Sequence, residues 1–533
     1  MGKSFKYPFL FIILTIGIIV GIEIEKAFSE DKLRDGIKKL NDVLTYTEKF
    51  YVEQVDTPKL VESGIKGMLD QLDPHSVYIP SNQLKDIEES FRGDFEGIGI
   101  EFQVVNDTLT VVSPITGGPS EALGILSGDR IIKIDGKDCI GITNEEVRKT
   151  LRGKAGTKVK VTIVRSGVKE PIDYEITRDK IPLYSVDTHF MYSEKTGYVS
   201  VSRFAETTYD ELNDALKDLK SKGMKQLILD LRGNPGGYLE EAVKIADLFI
   251  DGKKKIVYTH GRREEFDHEY DASMPSPFEK TPLIILINKG SASASEIVSG
   301  AVQDWDRGLI IGETSFGKGL VQRQFELPDN SAIRLTISKY YTPSGRLIQR
   351  DYKNKENYYS DVNHRHEIEE DNLTHKAERD SSLPKYKTAG GRTVYGGGGI
   401  TPDYIIPSDQ LTEYSRNLLR NNIFYQFVLN YIEGNGEKIV AKYGNDLQKF
   451  LKDFEFSPEE INEFIHFANT KDVKFVQNDF DKDKDYIKAR LKAQVARNYW
   501  KNIGWYSVLL NVDTQFLKAV TLFNEAKELA NLK

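Results

Sequence analysis

The chain has one cysteine, Cys139, in 533 residues. A single thiol excludes an internal disulfide framework and any cysteine-rich zinc module. Basic blocks are missing too: the net charge is −8 and the isoelectric point about 5.7. Duplex affinity comes largely from Lys and Arg neutralising phosphates, so nucleic-acid binding is a poor expectation. Long apolar runs are confined to one place, and 39% apolar with 29% charged residues describes a globular chain with a polar surface. This excludes a multi-span membrane protein and a wholly disordered chain. Histidine is scarce, eight in all, and none stands in a Ser-His-Asp or His-Glu-x-x-His pattern. A hydrolase built from these residues needs another base. His364, His366 and His375 lie in a polar stretch and read as solvated loop histidines.

The one apolar run is residues 7–22 (YPFLFIILTIGIIVGI), preceded by Lys3 and Lys6. That is the order of an export signal. The favoured reading is an uncleaved anchor with the remainder outside the cytoplasm. A cleaved signal peptide is the alternative, with Ala27-Phe28-Ser29 as a weak cleavage site. At about 150 residues per domain the length allows three or four domains. The expected division is 1–24 signal anchor or signal peptide, 25–90 helical, 91–182 β-rich, 183–407 α/β and 408–533 helical. Within the β-rich part, Thr143 and Glu146 form a capping box that opens a helix over 144–151. From residue 197 buried strands alternate with helices, as in LIILIN at 283–288, which argues for a layered α/β sheet. Residues 351–389 read as a long exposed excursion or flexible loop. The GGGG at 396–399 reads as a structured turn or a flexible joint. Residues 478–487 (NDFDKDKDYI) resemble part of a calcium loop, but Lys484 and Arg490 replace its glycine and closing glutamate. A solvated charged turn is the expectation there. The tail aromatics Tyr499, Trp500, Trp505 and Tyr506 read as core or interface packing.

Three segments carry chemistry. Residues 290–296 (GSASASE) join a buried strand to a helix, and a serine there meets unpaired N–H groups and the positive end of the helix dipole. Ser293-x-x-Glu296 is equally a capping box. Residues 312–322 (GETSFGKGLVQ) present Lys318 near Phe316, Leu320 and Val321. Partial desolvation disfavours an ammonium, and a neutral lysine can take a serine proton. The Gly-x4-Gly-Lys spacing of Gly312, Gly317 and Lys318 matches a P-loop. Gly319, however, stands where the magnesium-binding Ser or Thr belongs, and a strand rather than a helix follows. Residues 230–237 (DLRGNPGG) form a turn whose N–H groups can hold an oxyanion.

Together with 93–102 (GDFEGIGIEF), 64–78, 340–349 (YYTPSGRLIQ) and 396–403 (GGGGITPD), these motifs resemble the carboxyl-terminal processing peptidases, or tail-specific proteases. The resemblance spans roughly residues 35–407. It implies a crotonase-like α/β protease core, a PDZ domain before it, and helical regions at both ends. It implies Ser293 as nucleophile, Lys318 as general base and Gln322 as the residue orienting that lysine. The oxyanion donors would be the N–H of Ala294 and that of either Gly236 or Gly237. Gly97, Ile98, Gly99 and Ile100 would form the carboxylate-binding loop, with Val147 and Leu151 lining the side-chain pocket; core packing is the alternative for those two. No metal or cofactor is implied. The expected partners are protein or peptide substrates with free C-termini, on the periplasmic side of a membrane, and a homo-oligomer is admitted. A non-catalytic peptide-binding scaffold and an acyl-transfer protein on the similar crotonase-type fold are the competing readings.

Overall fold

A computed structural model describes residues 32–355, 357–365, 370–371 and 383–532. Residues 7–22 and most of 366–382, with His366 and His375, lie outside the described residues. No helix among the described residues is long and apolar enough to cross a membrane.

The chain divides into two compact units, Met1–Pro80 with Gln324–Leu335, and Ser81–Arg323 with Thr336–Lys533. In the first, a helix over residues 32–50 precedes the helix Thr57–Leu69. Asp56 caps the second by accepting the Lys59 N–H (3.1 Å), and Pro58 sits in its first turn, where a missing N–H costs nothing. The strand Val77–Ile79 pairs antiparallel with residues 332–334.

The second unit is built on a seven-stranded sheet. Its order is Val186–Met191, Thr196–Val201, Gln226–Asp230, Leu283–Ile287, Leu309–Gly312, Tyr404–Ile405 and Glu370–Asp371. The five strands from Thr196–Val201 to Tyr404–Ile405 run parallel, and the two edge strands are antiparallel. All five residues of Leu283–Ile287 are buried, because helices cover both faces of a parallel sheet. On one face Leu283, Ile285 and Ile287 pack with Leu212, Ile245 and Val298 from the helices Thr208–Ser221, Leu239–Asp247 and Ala294–Asp304. On the other, Ile284 and Leu286 pack with Phe516, Leu522 and Phe523, which come from the end of the chain.

The β-rich part is a sheet ordered Ile100–Val105, Thr108–Pro114, Arg130–Ile134, Lys158–Val164 and Ile172–Thr177. The helix Asn144–Leu151 closes it, with both halves of the Thr143–Glu146 capping box in place.

Residues 413–509 form helices around their own aromatic core, including Phe424, Phe427, Phe450 and Phe464. Residues 478–487 are not a turn. They belong to the helix Gln477–Leu509. Its acidic side chains serve as acceptors: Asp483 takes the N–H (2.8 Å) and hydroxyl (2.7 Å) of Thr412, the N-cap of the helix Glu413–Arg420. The long helix breaks at Trp500 (φ −120°, ψ 16°) and Lys501 (φ 52°, ψ −143°). Of the tail aromatics, Trp500 packs on Phe450 (4.9 Å between ring centroids) and Tyr506 on Tyr198 (6.1 Å). Trp505 lies under the guanidinium of Arg490 (4.3 Å).

The described part of the 351–389 excursion also departs from expectation. It holds the short helix Tyr358–Asn363, in which Tyr358 and Val362 are buried. The glycine run at 396–399 is a structured turn: Gly397 and Gly399 have φ of 81° and 96°, and the Gly399 N–H donates to Ile348 O (2.9 Å).

Candidate active site

The neighbouring parallel strands Gln226–Asp230 and Leu283–Ile287 deliver two loops to one end of the sheet. Asn288 Oδ1 accepts the N–H groups of Gly233 (2.8 Å) and Gly290 (3.0 Å), and Ala292 N–H donates to Asn234 O (3.0 Å). Ser291 Oγ donates to Leu231 O (2.8 Å) and Ser295 Oγ to Asn234 O (2.9 Å). Both hydroxyls are fully buried and spent on the scaffold. Ser293, between them, is only partly buried. It is the N-cap of Ala294–Asp304 and has φ 55° and ψ −111°, a backbone conformation that costs a non-glycine residue on the order of 1–3 kcal/mol. Strain of this kind collects where a side chain must be held in an unusual direction.

What holds it is Glu296. This completely buried carboxylate accepts Ser293 N–H (2.8 Å) and Lys318 N–H (2.9 Å) on Oε2, and Ser315 Oγ (2.5 Å) and Gly317 N–H (2.7 Å) on Oε1. Burial pushes its pKa up, and these four bonds oppose that shift. Tyr340 adds a second tie, its hydroxyl lying 3.1 Å from Ser293 O and 2.7 Å from Lys318 O. Burial raises the Tyr340 pKa well above its ordinary value, with the Glu296 charge as the smaller cause, so the hydroxyl keeps its proton. Lys318 Nζ donates to Gln322 Oε1 (2.8 Å). Lys318 and Gln322 are therefore in direct contact, and the backbones of Ser293 and Lys318 share one carboxylate oxygen. Sequence reasoning read Glu296 only as a capping residue and passed over Tyr340. The capping box was the available signal, but it concerns one of the four donors.

Gly236 and Gly237 have φ of 99° and 154°. A Cβ on Gly236 would stand 2.7 Å from Ser293 Cβ and 2.9 Å from Ala294 N, so this turn lies against the serine. A Cβ on Gly237 would stand 1.9 Å from Phe204 O. Gly236 N–H donates to Asn234 Oδ1 (2.9 Å). Of the two glycines, Gly237 is then the one whose N–H is not committed to the scaffold among the described residues.

In the β-rich module a cavity of about 130 Å³ is lined by Ile98, Gly99, Ile100, Val147, Leu151 and Arg152, among others. The expected loop and helix residues thus meet, while Val147 and Leu151 also belong to the module's core. Gly97 is not among the lining residues: it ends the strand Asp94–Gly97 and pairs with Asp179. Arg152, which the sequence reading did not single out, stacks on Phe95 (4.8 Å) and pairs with Asp86 (2.7 Å) and Glu89 (2.8 Å). No group of His, Cys, Asp and Glu among the described residues is arranged to hold a metal ion.

Comparisons with known proteins match several parts of the chain. Residues 195–355 match peptidase family S41 and residues 97–176 match the PDZ domain. Residues 21–82 match the N-terminal domain of the activating protease CtpB, and residues 414–501 match a family of unknown function. The carboxy-terminal-processing protease of Bartonella bacilliformis is 42% identical over 342 residues, covering 63% of this chain and 78% of that relative. The carboxy-terminal processing protease CtpA of Bacillus subtilis is 40% identical, covering 58% of this chain and 66% of the relative. Among solved structures, the photosystem II D1 C-terminal processing protease is 30% identical over 56% of this chain and 81% of that one, with a TM-score of 0.33. With a strand–loop–helix site of this kind and more than three quarters of the Bartonella protease aligned, the chain belongs to the carboxy-terminal processing proteases, serine-type peptidases of family S41 with a PDZ domain.

Proposed function

We propose that Ser293 and Lys318 form the catalytic dyad of an endopeptidase that reads protein C-termini through its PDZ module and cleaves exported proteins. One observation carries the assignment of the nucleophile. Of three alternating serines, two spend their hydroxyls on backbone carbonyls in the core, and the third sits strained at a helix N-terminus. Neutral Lys318 takes the Ser293 proton as Oγ attacks the scissile carbonyl, and Gln322 steers the amine. The Ala294 and Gly237 N–H groups stabilise the tetrahedral oxyanion. The lysine returns the proton to the leaving amine, and water then hydrolyses the acyl-enzyme. A substrate C-terminus docks at Ile98-Gly99-Ile100, adding a strand to the sheet edge, with its last side chain toward Val147 and Leu151. Export, with residues 7–22 as anchor, belongs to the same proposal and rests on the lysines and apolar run at the N-terminus.

The test is cleavage of an unfolded substrate with a free apolar C-terminus. Ser293→Ala and Lys318→Ala are each expected to lower turnover by on the order of 10⁴-fold or more. Lys318→Arg should rescue nothing, because a guanidinium does not give up its proton at working pH. Undiminished turnover by Ser293→Ala removes it from the mechanism. A wild-type protein that binds the C-terminal peptide but neither cleaves nor takes a serine-reactive probe is a scaffold.

A further inference from the structure

Residues 314–319 carry the proposed base but form neither helix nor strand. A loop of that length does not hold a lysine in place by its own hydrogen bonds. Glu296 fixes the side facing Ser293. The other side is held by Gln349 and Arg350, just before the excursion, and by Tyr358 and Arg365 within its start.

Arg350 N–H donates to Gly317 O (3.1 Å), and Arg350 Cβ is 3.2 Å from where a Cβ on Gly317 would lie. The Arg350 guanidinium stands 4.3 Å from the Phe316 ring centroid and 3.8 Å from that of Tyr358. Its Nε and Nη2 are buried without hydrogen-bond partners among the described residues, so aromatic faces hold this side chain more than acceptors do. The Tyr358 ring meets Phe316 edge-on (5.8 Å, 82°) and is 1% exposed. Gln349 joins the same assembly: its Oε1 accepts Gly319 N–H (2.9 Å) and its Nε2 donates to the Tyr358 hydroxyl (3.1 Å). Arg365 Nη1 donates to Thr314 O (3.2 Å) and Ser315 O (3.1 Å).

We propose that the described residues of 349–365 are a brace that positions Lys318, with the Phe316–Arg350–Tyr358 stack as its centre. Every residue of 314–319 except Lys318 itself is gripped by this segment, and Lys318 is gripped by Glu296, Tyr340 and Gln322. Arg350, Tyr358 and Arg365 are positioning residues: they act through the loop. Displacing a reacting group by about 1 Å can cost on the order of 100-fold in rate, so modest slack in such a brace is visible in turnover.

The inference rests on Lys318 being the base. The experiment compares Tyr358→Ala, Tyr358→Phe, Arg350→Lys and Arg365→Ala with wild type and with Lys318→Ala. Steady-state kinetics across pH are measured on one peptide substrate, and folding is checked by thermal unfolding. Tyr358→Ala is expected to lower kcat about 10- to 100-fold with KM within about twofold, and to move the acid limb of kcat/KM, which reports the base. Tyr358→Phe keeps the stack and should stay within about threefold of wild type. Arg350→Lys loses the planar stack and should resemble Tyr358→Ala. Arg365→Ala, a partly exposed site, keeps the test alive if Tyr358→Ala does not fold, with an expected loss in kcat of about 3- to 10-fold. Folded Tyr358→Ala and Arg365→Ala proteins with wild-type kcat and acid limb overturn the brace while Lys318→Ala stays inactive. Full activity in Lys318→Ala overturns the dyad itself.

Discussion

Where the end of the chain meets the face of the central sheet, the contact is built on buried apolar side chains, with Arg232 as a largely buried ionic tie. Phe516 packs edge-on against Tyr192 (4.7 Å) and Tyr198 (5.6 Å), and Leu522 and Phe523 cover Ile284 and Leu286. Where residues 422–501 meet the PDZ module, the hydrogen bonds and ion pairs involve partly exposed groups. Arg497 pairs with Glu101 (2.7 Å), Lys501 with Glu121 (2.7 Å) and Arg130 with Glu433, while Asn422 donates to Gln103 (2.6 Å). Burying a Phe gains about 1.5–3 kcal/mol that water cannot replace. An exposed ion pair gains about 0–1 kcal/mol and is screened by salt. The tail is therefore an integral layer of the protease core and only a polar neighbour of the PDZ module. The helix break at Trp500–Lys501 lies between the two contacts, and Lys501 at the break reaches Thr116 (2.6 Å) and Glu121 of the PDZ module.

The contrast can be broken from its strong side first. Phe516→Ala should cost about 3–5 kcal/mol, read by denaturant unfolding, because it opens a cavity in the middle of the apolar cluster on that sheet face. Arg232→Ala should come next, at about 2–4 kcal/mol. Arg232 ties Asp230, at the end of a central strand, to Asp513 of the tail (2.6 and 2.8 Å), and its loss leaves two carboxylates facing each other. The double variant Arg497→Ala, Lys501→Ala should cost least, about 0.2–1 kcal/mol per pair. Its effect should appear instead as faster hydrogen exchange over residues 101–121, and about 0.5 M salt should reproduce this in the wild type. If the double variant costs as much stability as Phe516→Ala, the distinction between the two contacts is wrong.

Much of the candidate site was legible in residues 230–237 and 290–322, since a serine at a helix start, a lysine flanked by glycines and a Gly-Gly turn each have a local physical meaning. The strand at 283–287 was legible because burial on both faces demands an unbroken apolar run. The misreadings share a cause. Residues 478–487 looked like a turn because four aspartates and two lysines crowd there, yet Asp483 is needed as an acceptor for a helix seventy residues earlier in the chain. Residues 351–365 looked exposed because polar residues dominate, yet Tyr358 and Val362 are buried, and the Tyr358 ring packs on Phe316 of the Lys318 loop.

The order of motifs, by itself, determined the family, the nucleophile–base pairing it implies and the strand–helix alternation of the core, all of which depend on neighbours within a few residues. The helical reading of 408–533 also announced a face to bury. Tertiary structure alone decided that this face completes the protease sheet, that Glu296 joins the serine to the lysine loop, and that a polar excursion stacks on Phe316. Each of these joins residues distant in sequence, and periodicity shows that a side chain must be covered without saying by what.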